Sequence, residues 1–241
     1  MAKVRALIAA AGAGSRAGLS YPKTLHPVRG QPILLRLFDR LARFDDRPAV
    51  IVSPEGYEPI RNCLVQVGFE AELLIQENPT GMGDAVLQFD QAEARGSADH
   101  LILAWGDLAG LQQETLDAMV ETHLRHENDF TFVTANVEEA YTVVERGTDG
   151  TVLSVVETRE AATTPRPGER DIGLFIFRTD PVLALLKEKL PGAIGEATGE
   201  HGFLYVIRHA TERGLQVEAL PIAGAMDLIS MNRISDLDAL Q

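Results

Sequence analysis

The sequence predicts an α/β protein: a mostly parallel sheet with helices on both faces, extended by antiparallel strands in the C-terminal half. Apolar runs of strand length, VRALIAA, AVIVS, EAELLIQ, HLILAWG and DFTFVTA, follow one another through residues 4–135. They alternate with helical-period segments such as PILLRLFDRLARF and GDAVLQFDQAEAR. Strands that are apolar throughout, separated by amphipathic helices, belong to a parallel sheet covered on both faces. After about residue 140 the strand candidates YTVVERG, TVLSVVE and IGLFIFR crowd together, the first two joined by the turn residues TDG. That spacing predicts an antiparallel addition to the sheet.

The first strand, 4–10, runs directly into small residues and glycines, and the segments 32–44 and 83–95 follow as helices between the strands at 49–53, 70–76, 100–106 and 129–135. The stretch AATTPRPGER at 161–170 is polar, proline-containing and aperiodic, which reads as a loop. Helices at 181–190 and 202–213, a strand at 216–221 and a short terminal helix from Arg233 complete the pattern.

A length of 241 residues suits one large α/β domain, 1–241. The formal net charge of -13 argues against a nucleic-acid or anionic-membrane surface, because phosphate backbones are met by clustered Lys and Arg. Any phosphate bound here must be met locally. The sole cysteine, Cys63, is expected in the core, and no signal-type apolar region opens the chain, so a cytoplasmic setting is expected. No apolar run approaches the ~20 residues that span a bilayer, and no His/Cys zinc spacing or Ser/His/Asp arrangement is legible.

The glycine-rich stretch LIAAAGAGSRAGLSYPKTLHP, residues 7–27, admits several phosphate-binding readings. A dinucleotide fingerprint needs a third glycine where Ala17 stands, and an acidic residue about 20 positions on. A P-loop read through AGLSYPKT has Ala17 and Pro22 at its glycine positions, and proline lacks the N–H that would face phosphate. What remains is either a glycine turn with no ligand or a nucleoside-triphosphate loop. In the latter, bare backbone approaches the base and phosphates while Arg16 and Lys23 neutralise charge.

The residues AAGAGSRAGLSYPKTLHPVRGQPIL resemble the signature of the nucleotidyltransferase superfamily, L-A-A-G-x-G-[ST]-R-M followed by P-K-x-L. Their short spacer and LHPVRGQP are most similar to the uridylyltransferase domain of N-acetylglucosamine-1-phosphate uridylyltransferases, and the resemblance runs nearly the whole chain. It implies the Rossmann-like fold of nucleotide-diphospho-sugar transferases, with a nucleotide-binding part at about 1–140 and an acceptor-sugar part at about 141–241. LIQENPTGMGDAVLQ resembles the base-reading segment, which implies Gln76 and Gly81 at a pyrimidine. Ala10, Ala11, Gly12 and Gly14 fall on the nucleotide loop. LAWGDLAGL matches the segment that supplies a magnesium ligand, here Asp107, and SMNRISDL the one that supplies a second, here Asn232, with Asp227 as the fallback. LSVVETREA implies a sugar-hydroxyl role for Glu157, and GEHGFLYV aligns Glu200 and His201 with the sugar side.

The chain departs from the family pattern at several positions. Ala17 replaces a methionine and Met82 a threonine near the base, Thr142 stands where a sugar-pocket glycine is usual, and Asp171 where an asparagine is usual. The acceptor pocket is therefore expected at Thr142, Glu157 and Asp171. His26 is expected to be structural, and His123, His126 and His209 to face solvent on helices.

The resemblance implies an enzyme that joins a nucleoside triphosphate, UTP first, to a sugar-1-phosphate, releasing pyrophosphate. Arg16, Lys23 and Asp107 would carry the chemistry, with Mg2+ on Asp107 and Asn232, a metal that one or two protein oxygens plus substrate phosphates suffice to hold. The same chemistry with CTP or dTTP and another acceptor, or a nucleotide-binding regulatory protein of weak activity, are the alternatives. No hexapeptide repeat follows, so acetyl transfer is not expected, and nothing in the sequence speaks to oligomeric state.

Overall fold

The structure is a computed structural model that describes residues 2–12 and 18–240. Its elements in chain order begin with β1 (Val4–Ala9), the short hairpin β2 (Pro27–Val28) and β3 (Gln31–Pro32), α1 (Ile33–Leu41), β4 (Ala49–Val52), α2 (Pro54–Val67) and β5 (Glu72–Ile75). Then come α3 (Met82–Leu87), β6 (His100–Trp105), α4 (Gln113–Arg125), β7 (Phe130–Ala140), β8 (Thr142–Arg146) and β9 (Val152–Glu157). The chain continues with β10 (Arg166–Arg178), α5 (Thr179–Glu188), α6 (Tyr205–Glu212) and β11 (Val217–Leu220).

Seven strands form the central sheet in the order β11-β7-β10-β6-β1-β4-β5. β5, β4, β1 and β6 pair in parallel, and β11 pairs in parallel with β7. β10 runs antiparallel to both its neighbours, β6 and β7. The mostly parallel sheet with antiparallel strands stands as the sequence indicates. One detail differs: β8 and β9 pair only with each other, as a separate two-stranded sheet.

Alternation along the strands splits the core in two. Ala6, Ile8, Val50, Val52, Ile102, Ala104, Leu174 and Ile176 face one side, where α1, α2 and α4 cover them. Leu7, Ala49, Ile51, Leu101, Leu103, Phe175 and Phe177 face the other, under α3, α5 and α6. This is the period of two that a strand imposes, applied to residues apolar on both faces. On the second face Phe130 stacks on Phe177 at 5.5 Å and Phe203 meets Phe175 edge-on at 5.3 Å. Phe203 thereby anchors the segment before α6 to the sheet. Helix α2 shows how local chemistry sets an element's ends. Ser53 caps it by accepting from the Gly56 N–H at 3.1 Å, Pro54 opens its first turn, and Gly68 closes it with φ 71.

Four expectations are corrected. The segment 83–95 is not one helix: α3 stops at Leu87 and gives way to 3-10 turns at Gln88–Gln91 and Glu93–Ser97, separated by Ala92 in an extended conformation. Half of the loop at 161–170 is strand, because Arg166–Arg170 belong to β10 and pair with β7 through a bulge between Arg166 and Gly168. The terminal helix is a 3-10 helix, Ile234–Leu240. His123 does not face solvent but is fully buried where α4 meets the sheet, bonded to His100 at 2.9 Å and to the Thr131 hydroxyl at 2.9 Å. Burial holds its ring down to a pKa of about 3, so it is neutral. His126 is exposed and His209 half-buried. Cys63 packs partly against the first core, and burial pushes its thiol up. Among the described residues no helix is long and apolar enough to cross a membrane.

Candidate active site

β1 and β6 lie side by side at the middle of the sheet, and their carboxyl ends open onto a cavity of about 1340 Å³. Ligands of parallel α/β sheets bind at this edge. The β1–β6 ladder continues one step past the strands, the Gly106 N–H donating to the Ala9 carbonyl at 2.9 Å. A Cβ at Gly106 would stand 2.8 Å from that carbonyl, so the close approach requires glycine. Asp107 follows directly and turns into the cavity.

Lys23 reaches the same point from a 3-10 turn, Lys23–Leu25, and its ammonium forms an ion pair with Asp107 Oδ2. Gly12 lines the cavity beside it, with the Lys23 stem in ordinary contact with the space where a Cβ would be. The other oxygen of Asp107, Oδ1, is buried and has no hydrogen-bond partner among the described residues. A buried carboxylate oxygen left unpaired is costly unless something else meets it.

Asn232 is brought to Asp107 by the backbone. The Met231 N–H donates to the Asp107 carbonyl at 2.9 Å and the Gly110 N–H to the Ile229 carbonyl at 3.0 Å, and Asn232 lines the cavity with an exposed side chain. Asp227 does not reach the site. Its carboxylate is consumed by the Gln112 N–H at 2.8 Å, the Thr115 hydroxyl at 2.8 Å and the Gly224 N–H at 2.9 Å. No group of three or more His, Cys, Asp or Glu side chains able to hold a metal occurs among the described residues. An orphaned Asp107 oxygen and an Asn232 side chain that lines the same cavity are nevertheless a donor set that fits a hard divalent cation, which takes oxygen ligands and keeps part of its water.

On the nucleotide side, Ala10 continues the β1 pairing by donating to the Ile51 carbonyl at 2.9 Å, and Ala11 packs half-buried against the second core. Gly14 and Arg16 lie outside the described residues. Gln76 is buried, and its amide donates to the Gly81 carbonyl at 3.0 Å, so these two residues meet. Gly81 has φ 116, and a Cβ there would stand 2.3 Å from the His201 carbonyl oxygen. Gly83 has equally little space, 2.2 Å from the Gly202 carbonyl oxygen. The loop Gly81–Gly83 is thus pressed against the segment that precedes α6. Backbone bonds at 2.7 Å (His201 N–H to Thr80) and 2.9 Å (Gly83 N–H to His201) lock the two together. The His201 ring is buried, with Nδ1 on Asp84 at 2.7 Å and Nε2 on the Tyr205 hydroxyl at 3.2 Å.

On the acceptor side, Thr142 and Glu157 line the cavity, joined by Trp105 and Tyr141. Asp171 sits behind this wall with 0% exposure, its oxygens accepting from the Thr142 hydroxyl at 2.6 Å and the Gly173 N–H at 3.0 Å. Burial raises the pKa of Asp171 despite those two bonds. Glu157 is raised as well, first by burial, and has no cationic partner within 4 Å among the described residues. Gly173, at φ 83, lies flat against the Trp105 indole, where a Cβ would come within 2.6 Å of the ring. Sequence reasoning passed over Trp105, Tyr141 and the His201–Asp84 contact. Only the aromatic character of the first two was there to be seen; the last joins residues 117 positions apart.

The chain belongs to the MobA-like NTP transferase domain family, matched over residues 6–214, which makes it a nucleotidyltransferase-like protein, with the paired lysine and aspartate at the carboxyl edge of its central sheet. Among its relatives is the bifunctional protein GlmU of Exiguobacterium sp. (strain ATCC BAA-1283 / AT1b), 32% identical over 217 residues that cover 89% of this chain and 47% of the relative. The GlmU of Geobacter metallireducens is 28% identical over 239 residues, covering 96% of this chain and 48% of the relative. The chain spans about half the length of these relatives. Two solved structures share the fold. One is a Bacillus anthracis protein described as a glucose-1-phosphate thymidylyltransferase, in complex with sucrose, with TM-score 0.77, 17% identity and coverage of 98% of this chain and 93% of that one. The other is HddC from Yersinia pseudotuberculosis, with TM-score 0.66, 19% identity and coverage of 96% and 95%.

Proposed function

We propose that this chain is a sugar-1-phosphate nucleotidyltransferase, taking UTP in preference to other triphosphates and releasing pyrophosphate. The observation that carries this reading is the Lys23–Asp107 pair at the carboxyl edge of β6, with the second Asp107 oxygen unpartnered among the described residues and Asn232 lining the same cavity. In the reaction an oxygen of the acceptor's phosphate attacks the α-phosphorus, the bond from that phosphorus to the α,β-bridging oxygen breaks, and pyrophosphate leaves with the electron pair. The nucleophile is already anionic at neutral pH, so the protein need not remove a proton. Its work is alignment and charge stabilisation.

Lys23 would stand between the α-phosphate and the incoming phosphate, and Arg16 would meet the departing β,γ-phosphates. Asp107 and Asn232 would hold Mg2+, which neutralises phosphate charge when bound. Gln76 and Gly81 would read the pyrimidine: one amide hydrogen of Gln76 is spent on Gly81, leaving its oxygen and a second hydrogen for a base edge. Ala10, Ala11, Gly12 and Gly14 would bind the nucleotide. Residues to about 140 would form the nucleotide half and the remainder the acceptor half, working in the cytoplasm on small-molecule substrates.

A particular observation favours an acceptor other than an N-acetylhexosamine phosphate. Thr142 and Asp171, both at positions where the resembling enzymes differ, are bonded to each other, and Asp171 has no surface in the cavity. The nucleotide contact altered by Met82 makes CTP and dTTP the alternatives to UTP. Pyrophosphate release measured for the four NTPs against a panel of sugar-1-phosphates tests the reading. Release confined to a pyrimidine nucleotide and a sugar phosphate supports it; no release with any pair refutes it and favours a regulatory nucleotide-binding role.

A further inference from the structure

A second cavity, of about 430 Å³, adjoins the main one and shares Ser230, Asn232 and Arg233 with it. Arg170 from β10, Asp236 and the apolar pair Leu228 and Ile229 complete its wall. Two arginines in one recess are unexpected in a chain with 35 acidic and 22 basic residues unless the acids neutralise them. They do not: among the described residues neither Arg170 nor Arg233 has a carboxylate within 4 Å, although many other arginines do. Asp236 is turned to the backbone, its Oδ2 accepting from the Asn232 N–H at 2.9 Å and the Arg233 N–H at 2.7 Å.

Arg170 is also held in position. Its guanidinium carbon lies 4.7 Å from the Tyr141 ring centroid, and its Nε is buried with no hydrogen-bond partner among the described residues. A guanidinium stacked by its face keeps its planar N–H edge for a bidentate oxyanion partner, a role that two oxygens of a phosphate can fill. Asn232 belongs to both cavities, so an anion in the smaller one would lie directly beside the centre formed by Asp107 and Asn232.

We propose that this side cavity is a phosphate-binding site in which Arg170 and Arg233 hold the phosphate of the acceptor substrate. The assignment to the acceptor rests on the function proposed above. Lys23, paired with Asp107, would have to serve both reacting phosphates at once, so the incoming dianion gains from a further source of positive charge as it approaches the triphosphate, and these two side chains line the adjoining recess. They would act in binding the nucleophile, not in the departure of pyrophosphate.

The test uses Arg170→Gln, Arg233→Gln and the double variant, with thermal melting to confirm that each folds. Inorganic phosphate is titrated first, with no nucleotide or metal present, and followed by phosphorus NMR. The double variant is expected to bind it roughly ten-fold or more weakly than the parent, the scale of losing charge-assisted hydrogen bonds. With the best NTP and acceptor, KM for the sugar phosphate should rise by a similar factor while KM for the NTP, inhibition by pyrophosphate and kcat stay within a few-fold. Unchanged phosphate binding with unchanged acceptor KM would overturn the site. A change falling on NTP KM or pyrophosphate inhibition instead would overturn its assignment to the acceptor. If no NTP and acceptor pair turns over, the proposed function has failed separately, and the phosphate titration alone decides the anion site.

Discussion

Lys23 and Asp107, 84 positions apart in the chain, share an ion pair at the carboxyl edge of the sheet while the second oxygen of Asp107 is buried without a partner among the described residues. The pair lets the two residues sit together before any ligand arrives, and it leaves Asp107 one oxygen for a cation. Turnover should therefore require a divalent cation, and Asp107→Ala should abolish it while leaving the melting temperature nearly unchanged, because both side chains retain some exposure. Pyrophosphate release with and without chelator, in parent and variant, checks this. Release that survives the substitution removes Asp107 from the chemistry.

The burial of Asp171 behind Thr142 predicts a pH signature of stability. Burial raises the folded-state pKa of Asp171 above its ordinary value of 3.8. Through that window the folded chain keeps a proton that the unfolded chain releases, so the unfolding free energy falls as pH rises from the ordinary value through the raised one. Asp171→Asn removes the titration, and its stability relative to the parent should improve as pH rises across the same window. Urea unfolding of both proteins from acid to neutral pH measures it, and parallel curves would contradict the account. Thr142→Val should destabilise by about 1–3 kcal/mol at neutral pH, the usual cost of leaving a buried acceptor without its donor.

The contact of the Gly81–Gly83 loop with the backbone of His201 and Gly202 leaves no space for a methyl group. Gly83→Ala should displace the loop or the segment before α6, because the obstruction at 2.2 Å is a carbonyl oxygen and not the end of a flexible side chain. A loss of about 1–3 kcal/mol, the scale of overpacking, is expected, with a rise in KM for the nucleotide. His201→Ala keeps the glycines but removes the ring contacts to Asp84 and Tyr205. It should speed amide exchange at Thr80–Gly83 while disturbing the sheet little. Parent-like exchange in that variant would show that the ring does not hold the loop.

The fold was legible because periodicity is local. The apolar runs became β1, β4, β5, β6 and β7, and the segment at 32–44 became α1. Lys23 and Asp107 were legible for a related reason: each lies at a strand or turn boundary with its own short motif, and the fold carries both to one edge. What the sequence concealed depends on distant contacts. His123 sits among polar neighbours that read as solvent-facing, yet α4 rotates it onto His100 and Thr131. The prolines of AATTPRPGER signalled a loop, but β7 is long enough to pair with its second half across a bulge. Asp171 gave the pattern of a pocket residue, and only the register of β10 shows that it points behind the wall, to Thr142. Arg170 and Arg233 belong to separate stretches with nothing in either to mark them as neighbours.

The most direct test is the single-turnover rate of Lys23→Ala with saturating nucleotide, cation and sugar phosphate, for the substrate pair that supports release. Lys23 is assigned to the space between two reacting phosphates, where repulsion is greatest as they meet, so its removal should be felt in the chemical step. The rate of nucleotide-sugar formation should fall by about 100-fold or more, the scale of losing one preorganised electrostatic group, while nucleotide affinity falls far less. Lys23→Arg should restore only part of the rate, because a planar fork does not occupy the place of an ammonium. A Lys23→Ala rate within a few-fold of the parent would contradict the assignment and leave Lys23 as a surface partner of Asp107.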